Sequence, residues 1–160
     1  MKICIVCSGN ICRSPFVERV LRRELGALHQ VCSAGTLGIE GAGAYEVCTT
    51  LAPAYGLELN SHRSQALTRE LVASCDLLAG LTREHCEAIR RCGAPPERVL
   101  LLGDFLPAGR VFDGGRFGPI RRGDDLPDPM GRSADVVRPI LALLEIAALE
   151  WARELLEQGD

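Results

Sequence analysis

Apolar residues arrive along this chain in short runs separated by longer amphipathic stretches, and that alternation predicts the layout of the fold. Residues 2–6, KICIV, form a β-branched run and read as a buried strand. Ser14 followed by Pro15 reads as a helix start, with Ser14 as N-cap and Pro15 at the first helical position. Val17, Val20, Leu21, Leu25 and Leu28 then recur at helical spacing and give one apolar face, which Gly26 weakens near its end. Residues 30–35, QVCSAG, predict a second strand. A Gly-rich segment leads into a helix over about 44–55, whose last turn is disturbed by Pro53. LTRELVASC, 67–75, reads as a short helix with Thr68 as N-cap, and CDLLAGL, 75–81, as a third strand. A helix follows over 82–92, stopped by Gly93 and Pro95-Pro96, and then a fourth strand over 98–105. No periodicity survives in residues 106–132, which are rich in Gly, Pro, Asp and Arg and read as one long loop. The last helix is predicted over 133–158, with Pro139 implying either a later start or a kink.

Strands alternating with helices imply an α/β fold with a parallel sheet, in a single domain over 1–160. In such sheets ligands bind beyond the carboxyl ends of the strands. Residues 7–14, CSGNICRS, sit at that end of the first strand, which makes them the first place to look for chemistry. The net charge of -3 provides no basic field, so nucleic acid is not an expected partner. No apolar run approaches the roughly 18 residues of a membrane span, and the N-terminal one is too short for a signal core. The expectation is a cytoplasmic protein whose eight cysteines stay reduced. Cys4, Cys32 and Cys75 lie in or beside strand runs and read as small core residues. With no CxxC and no close Cys/His pair in the sequence, no metal site is expected.

A strand, then Cys-x5-Arg-Ser-Pro, then a helix is a specific arrangement. A turn of this kind points successive backbone N–H groups inward, and the helix adds its positive N-terminal end. Gly9 permits backbone conformations closed to other residues, and Arg13 offers a planar fork matched to two phosphate oxygens. Cys7 lies at the foot of this cradle, where the donors favour a thiolate aimed at phosphorus. Such a nucleophile needs an acid for the leaving oxygen. The residues alone leave Asp113, Asp124, Asp125 and Asp128 open for that role.

The run VCSGNICRSP is similar to the signature of low-molecular-weight protein-tyrosine phosphatases. SAGT at 33–36, SHRSQALT at 61–68, LTREH at 81–85 and DLPDPMG at 125–131 resemble further segments of that family in the same order. The resemblance implies a four-stranded parallel sheet flanked by helices on both faces. It also implies a phosphocysteine intermediate and no metal or organic cofactor. It selects Asp128, in PDPMG, as the general acid, with Cys7 as nucleophile and Arg13 as clamp. Ser8, Gly9, Asn10, Ile11, Cys12 and Ser14 complete the phosphate-binding loop by the same resemblance. Ser14, Asn10, Ser33 and His62 resemble a hydrogen-bonded group that steadies the thiolate, although Ser14 also reads as a plain cap and His62 as an ordinary loop histidine. Adjacent loop cysteines in the family form a reversible disulfide, which makes Cys12 a redox guard for Cys7.

Substrate choice rests on fewer residues. Ile11 stands where phosphoarginine-specific relatives carry threonine, which favours phosphotyrosine. Against that, the positions that often hold aromatic walls are Ile39 and Met130 here, and Tyr45 is not placed by the alignment. Phosphotyrosine on a protein is the first reading, with phosphoarginine as the alternative. Arsenate reduction through Cys86 and Cys92 is a third reading, disfavoured because such loops typically read Asn-Ser-x-Arg-Ser-Gln. The implied partners are a phosphorylated protein and its cognate kinase, with no membrane; the oligomeric state is left open.

Overall fold

Four parallel strands carry the chain: β1 (Lys2–Cys7), β2 (Gln30–Gly35), β3 (Leu77–Gly80) and β4 (Val99–Leu101). They are ordered β2-β1-β3-β4 in the computed structural model, which describes residues 1–159. Asp160, the last residue of the predicted domain, lies outside the described residues. Cys4 pairs in register with Cys32 on one side and Leu78 on the other, so β1 is central. Strand order reverses between β1 and β3, and the crevice beyond their carboxyl ends is where such sheets take ligands.

Helices α1 (Arg13–Leu25) and α5 (Ala134–Gln158) cover one face, and α3 (Arg69–Ala73) and α4 (Arg83–Arg91) the other; α2 (Glu46–Leu51) packs beside α5. The alternation of side chains along β1 divides the core accordingly. Ile3, Ile5 and Cys7 join the larger apolar cluster with α1 and α5, while Cys4 and Val6 join the smaller one with α3 and α4. Trp151 of α5 stacks on Phe105 with centroids 5.2 Å apart, and Phe16 of α1 meets Tyr55 edge-on. No helix among the described residues is long and apolar enough to cross a membrane.

The predicted elements are present, with instructive shifts. Helix α1 begins at Arg13, its N-cap is Cys12, and Ser14 is therefore not the cap. Pro15 still fits, because the first four N–H groups of a helix have no partner to lose. Leu28 is 72% exposed: the helix ends at Leu25, and Gly26 at φ +56 opens a 3-10 turn that rotates Leu28 out of the stripe. The helix predicted over 44–55 is α2 followed by a 3-10 turn at Ala52–Tyr55, as Pro53 requires. Strand β4 stops at Leu101 and the chain coils through Leu102–Phe105, where the Gly103 carbonyl accepts from the Gly123 amide. Helix α5 runs unbroken from Ala134 with Pro139 inside it, so the later start does not occur.

The long loop is not structureless. Phe112–Asp113 (β5) and Pro119–Ile120 (β6) form a small antiparallel hairpin that buries Phe112 and Ile120. Arg110 lies over the Phe112 ring at 4.9 Å. Beyond the hairpin, the Leu126 amide donates to the Leu81 carbonyl just past β3, which pins the following residues against the end of the sheet.

Candidate active site

The turn from Cys7 to Ser14 wraps around a cavity of about 200 Å³ at the carboxyl end of β1. Its closure depends on Gly35: a Cβ there would lie 2.6 Å from the Ser8 carbonyl oxygen, so β2 can approach the turn only as glycine. The Thr36 and Leu37 amides then donate to the Cys7 and Ser8 carbonyls. Asn10 takes φ +55, a left-handed conformation that asparagine tolerates better than most residues.

Asn10 organises the interior. Its side-chain amide donates to Ser14 Oγ and to Ser33 Oγ, both at 2.9 Å, and its Oδ1 accepts from the Gln65 amide. Because Ser14 accepts from Asn10, its own proton is free for Cys7 Sγ, 2.9 Å away. The Asn10 backbone amide points at the same sulfur from 3.3 Å. Both contacts have the polarity that a thiolate needs. Ser33 Oγ in turn donates a hydrogen bond to buried Glu18, which also pairs with Arg19 and Arg22 at 2.8 Å each. His62 donates from Nε2 to the Asn10 carbonyl at 2.6 Å, and burial lowers its pKa, so it acts as a neutral donor.

The N-cap of α1, Cys12, makes no side-chain cap bond, and the first turn holds no acidic residue. The free N–H groups of that turn therefore face the cavity as anion donors. Arg13 is 3% exposed; its Nη1 donates to the Leu126 carbonyl at 2.9 Å, and its Nη2 lies 3.3 Å from Asp128 Oδ2. Asp128 is half-exposed at the rim, and its Oδ1 accepts from the Met130 amide at 3.0 Å. The walls are aliphatic: Ile11, Leu37, Ile39 and Met130. Tyr45 is not among them. Its hydroxyl donates to the Arg132 carbonyl and its amide to the Ile11 carbonyl, so it clasps the loops on either side of the mouth.

Thus Cys7 and Arg13 meet Asp128, more than a hundred residues further along the chain, at one cavity, and Asn10, Ser14, Ser33 and His62 form one network beneath it. Cys12 lines the cavity beside Cys7, and its pKa is raised by a hydrogen bond to Cys48 and by burial. Cys86 and Cys92 are elsewhere: they belong to the cluster on the α4 face, and the Cys86 thiol donates to the Leu100 carbonyl.

Sequence reasoning missed His85 and Glu18 as individual residues. His85 Nδ1 accepts from the Thr82 amide in a capping box, which leaves Nε2 to donate to Ser8 Oγ at 2.9 Å. Burial, followed by the positive charge of Arg13, holds its pKa down at about 4, so the imidazole is neutral at pH 7. The Thr-x-x-His spacing at 82–85 was the available signal. Glu18 carried none, because one acidic residue within an amphipathic helix looks like any solvated one.

Known proteins share this architecture. A family model described as low molecular weight phosphotyrosine protein phosphatase matches residues 2–160. The chain is 34% identical to the low molecular weight protein-tyrosine-phosphatase Wzb of Salmonella typhi, over 99% of this chain and 97% of that one. The crystal structure of the tyrosine phosphatase Wzb from Escherichia coli K30 in complex with sulphate superposes with a TM-score of 0.81 at 33% identity, covering 96% and 97% of the two chains. The arginine phosphatase YwlE, solved with a phosphorylated active-site serine, superposes equally well at 0.81 with 28% identity, covering 97% and 95%. A match of this extent, together with the Cys7–Arg13 turn at the end of β1, places the chain in the low molecular weight protein-tyrosine phosphatase family of hydrolases.

Proposed function

We propose that this chain hydrolyses phosphotyrosine on proteins through a phosphocysteine at Cys7. The observation that carries the reading is the paired donation from the Ser14 hydroxyl and the Asn10 amide to the Cys7 sulfur, beneath a cavity clamped by Arg13. In the first step the Cys7 thiolate attacks phosphorus in line. The S–P bond forms as the P–O(aryl) bond breaks, and Asp128 gives its proton to the departing phenolate. Arg13 and the amides of the turn hold the equatorial oxygens through the transition state. In the second step Asp128, now a carboxylate, takes a proton from water, which attacks phosphorus and releases inorganic phosphate and the Cys7 thiolate. The neutral His85 and His62 hold the turn in shape from outside and take no proton in either step. The protein works in the cytoplasm on this reading, where its thiols stay reduced.

The aliphatic walls suit the flat faces of a tyrosine ring, and Ile11 excludes a polar partner for a guanidinium. Similarity to YwlE supports the second reading, phosphoarginine, whose leaving nitrogen requires the same acid. Rates on matched phosphotyrosine and phosphoarginine peptides decide between them. We expect phosphotyrosine to be favoured, Ile11→Thr to move the ratio toward phosphoarginine, and Cys7→Ser to abolish both. A wild-type preference for phosphoarginine overturns the first reading.

A further inference from the structure

The smaller apolar cluster, on the face away from the active site, holds three thiols together. Cys4 on β1 and Cys32 on β2 are register partners, and Cys75 joins them from the turn between α3 and β3. Their Sγ atoms all lie within 4.8 Å of one another. Cys4 and Cys75 are buried, and Cys32 is partly open to solvent. None of the three takes part in the chemistry at Cys7. Cys4 is three residues before Cys7 on β1, so it faces the opposite side of the sheet and lies about 10 Å along the strand.

We propose that Cys4, Cys32 and Cys75 form a three-thiolate binding site for a thiophilic dication of the zinc class. Distance favours it: a Zn–S bond of about 2.3 Å places tetrahedral sulfurs roughly 3.8 Å apart, so the thiols need to close by no more than about 1 Å. Ligand type favours it as well, since an all-sulfur set selects soft ions over calcium or magnesium. Charge balances too. Three thiolates and a dication leave one negative charge, and Lys2 Nζ is anchored beside the site, donating to Ser74 Oγ at 2.8 Å, with that oxygen 3.9 Å from Cys75 Sγ. The fourth tetrahedral position falls to a water on the open Cys32 side, where a tetrahedral ion accepts one. Each metal–sulfur bond replaces an S–H bond, so loading releases up to three protons to solvent with no change of oxidation state. The ion would tie β1, β2 and the start of β3 together at the end of the sheet remote from the phosphate.

The expectation of no metal site rested on local spacing, the lack of a CxxC or a close Cys/His pair. Strand register places residues 4 and 32 side by side and the β3 entry adds residue 75, a grouping that spacing along the chain does not reveal.

The test is a Cd2+ titration of reduced, chelator-stripped full-length protein, followed by thiolate-to-metal charge-transfer absorption in the ultraviolet. We expect saturation at one ion per chain, displacement by Zn2+, and a raised melting temperature. The Cys7→Ser/Cys12→Ser double variant should bind Cd2+ unchanged. Cys32→Ser alters a partly open position and should keep its circular dichroism and aryl phosphatase rate while binding Cd2+ at least about tenfold more weakly. Unchanged binding in Cys32→Ser, loss of binding in the double variant, or no saturable absorption at micromolar Cd2+ in wild type each overturns the proposal.

Discussion

Replacing Asp128 by asparagine separates catalysis from folding more cleanly than any other change at this site. The amide keeps the shape of the carboxylate, and its oxygen can still accept from the Met130 amide, a bond of 3.0 Å in the native protein. What disappears is the transferable proton and the charge facing Arg13. The ion pair is 3.3 Å long with an Asp128 side chain 45% exposed, so solvent screens it and its loss costs about 1 kcal/mol or less of stability. Arg13 retains its bond to the Leu126 carbonyl. Loss of a general acid costs about 10²–10⁴-fold in rate, or roughly 3–5 kcal/mol of barrier. Turnover should therefore collapse while the urea midpoint barely moves. The decisive assay varies the leaving group. Phenyl phosphate, whose phenolate needs a proton, should suffer the full loss in Asp128→Asn. A dinitrophenyl ester, which departs as a stable anion, should suffer little. An equal loss on both substrates would mean that Asp128 only positions Arg13, and near-normal turnover on phenyl phosphate would remove its acid role altogether.

Two further outcomes follow from the same geometry. Gly35→Ala should cost about 1–3 kcal/mol by denaturant titration and lower kcat together, since its Cβ would sit 2.6 Å from the Ser8 carbonyl and push the phosphate turn outward; a fully active, equally stable variant would show that the turn is softer than its bonding implies. For His85, the folded pKa of about 4 lies below the unfolded value, so the unfolded chain binds the extra proton first as pH falls. That contribution is complete above about pH 6.5 and is lost between there and pH 4, about 3 kcal/mol over the window. Stability-versus-pH curves of wild type and His85→Gln should diverge there, and parallel curves would refute the assignment.

Much of this protein is legible along the chain because its signals are local. The β-branched run at 2–6, the apolar spacing of Val17, Val20 and Leu21, and the capping threonines at 68 and 82 act within a few residues, so strands, helices and their alternation follow from them. The turn at residues 7–14 is equally local: eight consecutive residues carry Cys7, Arg13 and Asn10, and it is Asn10, not the expected Gly9, that takes the left-handed φ. Element ends were less legible. Ser14 looked like a cap because the Ser-Pro pair usually is one, but the turn draws Arg13 into the helix and turns the hydroxyl onto Cys7. The hairpin at 112–120 was invisible because two-residue strands leave no period, and Phe112 and Ile120 become core only once α5 is there to receive the hairpin.

Chemistry that spans the chain belongs to the tertiary structure. The residues alone left four aspartates open for the acid; the Leu126–Leu81 bond and the Leu126 carbonyl on Arg13 bring Asp128, rather than another, to the mouth. His85 reaches Ser8 across 77 positions, and Glu18 becomes a buried anchor only when β2 sets Ser33 against it. Cys4, Cys32 and Cys75 converge through strand register, a property that no single segment possesses. The sequence by itself determined the class of fold and the turn that carries Cys7 and Arg13, because both are written in contiguous residues. Which carboxylate faces that turn, which histidines bond to it and which thiols meet behind the sheet were decided by packing, because those partners share a neighbourhood in space and none along the chain.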